Sequence, residues 1–311
     1  MKKRSVFYSS VVGIVAGGLA LQFGVGGIDA YAQKVAGGPL VTKTAKVSAV
    51  KPLETKAVSP AMARAAAVNS NLKNSLRWTF GGKTQLGWNI YSSLIAETLN
   101  TDAGPDSPEF ADALSVWQSQ NALAATGTLD SETLGAFIKF WQSQRLGRSN
   151  NAGNDSLFLA PAVEFWDNSR DEQLRKLEGE TYAAYKTMLA AAAKDLKNDL
   201  KLTKNGDLAP DEKFLRIVSA YRSPEYQAQL RKNEPNAGRA ALAKHSPHFT
   251  GRALDIYVGG EPVTTKDANR AIQVQTPAYK WLVKNARKFG FYPYFYEPWH
   301  WEYVGQPKPQ R

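Results

Sequence analysis

Ser246-Pro247-His248-Phe249-Thr250-Gly251-Arg252-Ala253-Leu254-Asp255-Ile256-Tyr257-Val258 and, nearer the C-terminus, Glu297-Pro298-Trp299-His300-Trp301-Glu302-Tyr303-Val304 are the stretches on which the reading turns. Pro247 and Gly251 mark a loop. The apolar run after it reads as a buried strand, with Ala253, Asp255 and Tyr257 on one face and Leu254, Ile256 and Val258 on the other. Leu215–Ala220 has the same character. Trp281–Phe289 reads as a helix stopped at Gly290, a C-cap glycine. Phe291–Tyr296 and His300–Val304 are strand candidates around a turn at Pro298. Upstream, Glu172–Leu202 reads as a long helix, with Leu174, Leu177, Tyr182, Tyr185, Leu189 and Leu196 on one stripe. Helices and strands segregate rather than alternate. The expected fold is therefore α+β, a mainly antiparallel sheet flanked by helices.

An aspartate in the middle of an apolar strand is costly unless a positive group pairs with it. A metal ion would satisfy Asp255, and so would Arg222 or Arg252. The chain has only three histidines, His245, His248 and His300. Two of them lie beside the two most unusual acidic positions, Asp255 and Glu297. A histidine among tryptophans is ordinarily a packed core residue. Should the two stretches converge, however, His248, Asp255 and His300 make a two-histidine, one-carboxylate set. Catalytic zinc takes three such ligands and keeps a position for water. Imidazoles argue against Mg²⁺ and Ca²⁺. Glu297 would then be the base that takes a proton from water. His245 is read as a loop residue.

The rest of the sequence bounds the setting. With 311 residues the chain has room for one or two domains. The absence of cysteine excludes disulfides, thiolate metal sites and a cysteine nucleophile. Lys2, Lys3 and Arg4, then the apolar Val11–Leu21 and the small residues of Ala30-Tyr31-Ala32, read as a signal peptide over residues 1–32, with Gln33 the first mature residue. A retained anchor over Val6–Ile28 is the alternative. Its glycines and serines make it weakly apolar, so no stable membrane span is expected after cleavage. Residues 33–77 read as a flexible linker rich in Ala, Lys, Val, Ser and Pro. A net charge of +11 suits acidic wall polymers. Nucleic acid is not expected as a partner, because the lysines are scattered and the chain is read as exported.

Residues 78–148 read as a small all-α module. Ile90, Leu94 and Leu99 fit one helix. Ser107-Pro108 caps a second, which carries Phe110, Leu114 and Trp117. Asp130 caps a third, which carries Leu134, Phe137 and Trp141. The run FADALSVWQSQNALAATGTLDSETLGAF, from Phe110 to Phe137, resembles the three-helix peptidoglycan-binding domain.

The downstream motifs resemble a second family. SPHFTGRALD fits S-x-H-x-x-G-x-A-x-D, EPWH fits E-x-x-H, and SAYRSPEYQ is similar to S-G-Y-R-S-x-x-x-Q, with Ala220 in place of the glycine. WLVKNARKFGF between them also fits. In this order they resemble the zinc D-Ala-D-Ala carboxypeptidases of the vancomycin-resistance type, over about Leu177 to Val304 of an expected catalytic domain at 155–306. The resemblance implies His248, Asp255 and His300 as zinc ligands and Glu297 as general base and later acid. It implies Arg222 as the arginine that polarises the scissile carbonyl and holds the oxyanion. Ser246 and Gln227 are the expected substrate hydrogen-bonders, and Trp299 packs against substrate or supports His300. The expected function is a Zn²⁺-dependent D,D-carboxypeptidase that trims terminal D-alanine from peptidoglycan stem peptides. It is expected to be a monomer, exported to the periplasm, cell wall or extracellular space. An endopeptidase of the same fold and a non-catalytic wall-binding protein are the alternatives.

Overall fold

The computed structural model describes residues 59–147, 156–197, 199–233 and 246–305. The signal peptide at 1–32, the linker up to residue 58 and His245 lie outside the described residues. Residues Thr55–Arg311 form one unit.

The expected linker is corrected at its C-terminal end, where Pro60–Ser75 is a helix, α1. Ser59 caps it and Pro60 occupies the first turn. Its buried face is made of Ala65, Ala66 and Asn69 rather than large apolar residues. That is why no apolar period shows in the sequence. Asn69 is fully buried and ties α1 to the module, donating to the Gly127 carbonyl and accepting from the Leu129 N–H.

The module is not purely helical. A hairpin, β1 (Arg77–Phe80) and β2 (Lys83–Leu86), turns at Gly81-Gly82. The three expected helices follow as α2 (Ser92–Thr98), α3 (Pro108–Gln120) and α4 (Ser131–Ser143). Ser107 caps α3 through the Phe110 N–H, and Asp130 caps α4 through the Thr133 N–H. Gln118 clamps the loop between them, accepting from Gly127 and donating to the Thr128 carbonyl.

β3 (Leu157–Leu159) pairs antiparallel with β4 (Lys176–Glu178). The long helix starts later than the sequence suggests. Residues Glu172–Arg175 form a 3₁₀ turn, and α5 runs Gly179–Asp195, capped by Glu178. The central sheet has four antiparallel strands in the order β5 (Ile217–Ser219), β6 (Ala253–Ile256), β8 (His300–Tyr303), β7 (Phe291–Pro293). Helices α6 (Pro224–Asn233), α7 (Asp267–Gln273) and α8 (Pro277–Asn285) complete the chain. A 3₁₀ turn extends α8 to Phe289 and Gly290 closes it at φ 83°. The fold is α+β. Both faces of β6 and β8 are buried, so a polar side chain on them must meet a partner inside the molecule.

Candidate metal centre and catalytic groups

Sheet register brings the two distant stretches together. Asp255 on β6 lies directly opposite His300 on β8 and opposite Ser219 on β5. Direct cross-strand partners share a face and stand within reach of one another. The tight segment before β6 supplies His248. Pro247–Thr250 is a 3₁₀ turn capped by the Ser246 hydroxyl, which accepts from the His248 N–H at 3.3 Å. Gly251 ends it in the left-handed region at φ 69°. A Cβ there would stand 2.8 Å from the Glu178 backbone nitrogen, so glycine is required twice over.

The buried side chains of His248, Asp255 and His300 each offer one ligand atom, and these atoms lie within 4.8 Å of one another. The His248 Nδ1–H donates to the Ala220 carbonyl at 2.6 Å, which leaves Nε2 facing Asp255 Oδ1 at 3.3 Å. The His300 Nδ1 is 2.9 Å from the same oxygen, and its Nε2–H donates to Glu302 Oε1 at 3.0 Å. Each imidazole thus has one nitrogen anchored by the protein and the other turned to a common point. That division of labour is typical of metal-ligating histidines. Two nitrogens and one carboxylate oxygen, all buried, fit a zinc ion that keeps an open position.

Arg222 donates to Asp255 Oδ2, and its Nε donates to Ser219 Oγ at 2.9 Å. The two readings of Asp255 are therefore compatible, since one carboxylate oxygen takes the arginine while the other faces the imidazoles. The Arg222 Nη1 carries no hydrogen bond among the described residues.

Charges follow from burial and neighbours. Burial pushes the Asp255 carboxyl up, but His248 and Arg222 outweigh it and hold the group well below the usual range. Burial, then Arg222, pushes His248 down to about 4. Burial works against the charged form of His300 too, yet its hydrogen bonds to Asp255 and Glu302 carry it up to about 9. Glu297 sits at the turn between β7 and β8, where its N–H donates to the Tyr294 carbonyl. It is buried, and this desolvation raises it to about 8 although His300 pulls the other way. A carboxyl poised near neutrality has the character of a general base.

The other expected residues are placed as follows. Gln227 is buried on α6. Trp299 is 3% exposed within the continuous core, and its carbonyl accepts from the Ile256 N–H. The sequence reading missed Glu302 and Arg145. Glu302 lies two residues beyond His300 on the same strand face, so strand alternation was a usable signal. Arg145 had none.

A model of the D-alanyl-D-alanine carboxypeptidase VanY matches residues 174–306. YodJ of Bacillus subtilis (strain 168), whose name carries a provisional carboxypeptidase assignment, is 32% identical over 168 residues, 48% of this chain and 53% of YodJ. A D-alanyl-D-alanine carboxypeptidase of Enterococcus faecium is 35% identical over 102 residues, 29% of this chain and 30% of that protein. The chain thus spans about half the length of the first relative and under a third of the second. The solved LdcB LD-carboxypeptidase is 30% identical at a TM-score of 0.37, covering 52% of this chain and 73% of that one.

Proposed function

Residues 174–306 belong to the VanY D-alanyl-D-alanine carboxypeptidase family, and from that premise we propose that the chain is a zinc-dependent D,D-carboxypeptidase that removes the terminal D-alanine of peptidoglycan stem peptides. The observation that carries this reading is the meeting of His248, Asp255 and His300, with the Glu297 carboxyl poised near neutrality beside them.

His248, Asp255 and His300 are the residues that would hold zinc. Bound there, the ion would supply Lewis acidity toward a water and a carbonyl. Glu297 takes the proton from the attacking water and hands it to the departing amine. Arg222 offers its remaining Nη1 to the negative charge that develops on the carbonyl oxygen, a fixed cation in a water-poor place. Ser219 and Asp255 orient that guanidinium. Ser246 and Gln227 are the hydrogen-bonders proposed for the substrate. Attack by water needs no covalent enzyme intermediate, in keeping with a chain that has no cysteine.

The chain is proposed to be exported, from its N-terminal pattern, and to act on the wall as a monomer, with the helical module as its wall contact. Among the described residues no helix is long and apolar enough to cross a membrane. Digestion of defined muropeptides tests the reading. Release of single alanine from pentapeptide stems is expected. Cleavage of cross-linked dimers without alanine release would replace it with the endopeptidase. Zinc bound in both wild type and Glu297→Ala, with neither turning over, would leave a wall-binding protein.

A further inference from the structure

Glu302 is fully buried beside the ligand set, and both its oxygens are held from the helical module. Its Oε1, which accepts from His300 Nε2, also accepts from Arg145 through Nε at 3.0 Å and through Nη2. Its Oε2 accepts from the Leu146 N–H at 2.9 Å. Arg145 lies two residues beyond the end of α4, and its Nη1 donates to Gln142 Oε1 in that helix's last turn at 2.6 Å. The guanidinium lies 4.1 Å from the centroid of Tyr294, whose ring packs edge-on against His300. Strand geometry alone would leave the Glu302 carboxylate free to rotate about its last bond. The fork of Arg145 and the Leu146 N–H fix that rotation, and so fix which lone pair meets His300.

We propose that Arg145 is a positioning residue for the metal centre: through Glu302 it sets the orientation of His300, so that the end of the helical module forms part of the support of the site. The inference rests on the zinc reading above and adds a role for the module other than wall contact. Neither His300 nor Glu302 touches the module by any other hydrogen bond among the described residues. Arg145 and Leu146 are therefore the whole of that link.

Zinc affinity of the full chain, measured by competition with a chromogenic chelator, tests it without reference to turnover. Arg145→Ala is expected to weaken zinc binding about 10- to 100-fold, the usual cost of removing an outer-shell partner. Glu302→Gln is expected to weaken it comparably. The double variant should bind no worse than Glu302→Gln alone, because the arginine acts through that carboxylate. Arg145→Lys, which keeps the charge and loses the fork, should lie between wild type and Arg145→Ala. Asp102→Ala cuts a peripheral ion pair from the module to Lys284 of α8 and should bind zinc as wild type does. Wild-type affinity in Arg145→Ala, multiplicative losses in the double variant, or an equal loss in Asp102→Ala overturns the inference and leaves the zinc reading standing. If Arg145→Ala does not fold, undiminished affinity in Arg145→Lys overturns it. Failure of the wild type to bind zinc removes both.

Discussion

Asp255 is bonded on one side to Arg222 and faces two imidazoles on the other, so its ionised form is held from every direction. For Glu297, buried in the same place, desolvation and the negative charge of Asp255 outweigh His300, Arg222 and Arg145, and the carboxyl is held up to about 8. Two carboxylates thus diverge through environment alone, one fit to ligate and the other to exchange a proton. Glu297→Gln is therefore expected to keep stoichiometric zinc and to lose about 10²- to 10⁴-fold in kcat, checked by metal analysis and an alanine-release assay. The pH dependence has a definite sign. In the metal-free protein His300 holds its proton up to about 9, against 6.5 when unperturbed. The stability this contributes is fully present below about 6.5 and is lost as pH rises through 9. Zinc requires the same nitrogen deprotonated, so its affinity should rise with pH over that interval, by about tenfold per unit for one released proton. Calorimetric titration of zinc in two buffers of different ionisation enthalpy at pH 7.5 checks this. Equal apparent heats in the two buffers would contradict it.

At the scale of elements, the turn from Pro247 to Gly251 does more than join two segments. It places His248 over β6, and its closing Gly251 carbonyl accepts from the Glu178 N–H at the head of α5. Gly251→Ala must adopt the left-handed region and push against that backbone. A loss of about 1–3 kcal/mol in urea unfolding is expected, with weaker zinc binding because His248 moves with the turn. Unchanged stability would mean that the turn tolerates the Cβ. The same elements show what the sequence could and could not reveal. Ser107, Asp130 and Gly290 are terminal signals whose chemistry is local, and the helices start or stop where these residues stand. The pairing of Asp255 with His300 was legible only as a possibility, because register is a property of the whole sheet. Helix α1 was hidden by its alanine face, and the β1–β2 hairpin by strands of four residues each. Arg145 could not be read at all, since it meets Glu302 across 157 positions of sequence.

At the scale of the whole molecule, the helical module and the sheet share one interior. Phe80 packs on Phe295 and Tyr296, Tyr91 and Trp141 pack on Phe295, and all these rings adjoin the turn that carries Glu297. Arg270 of α7, 1% exposed, donates to the Tyr91 hydroxyl at 3.0 Å, to Gln85 Oε1 at 3.1 Å and to the Tyr296 carbonyl at 3.3 Å. A module that was only tethered would melt by itself. This one buries the partners of Arg270 and holds Glu302, so neither part can unfold without exposing the other's polar groups. The described unit is therefore expected to show one calorimetric transition, with the fluorescence of module tryptophans such as Trp88 and Trp117 changing at the same midpoint as the far-ultraviolet signal. Arg270→Ala should lower that midpoint by the equivalent of at least about 2 kcal/mol without splitting the transition, because it leaves buried acceptors unpaired. Zinc should raise it for both signals together, since a ligand that binds only the native state stabilises everything that unfolds with the site. A module signal that melts separately, or that ignores zinc, would mean that the shared aromatic interior does not couple the two parts. The module would then be a passenger on the central sheet and its helices rather than a component of the same folding unit.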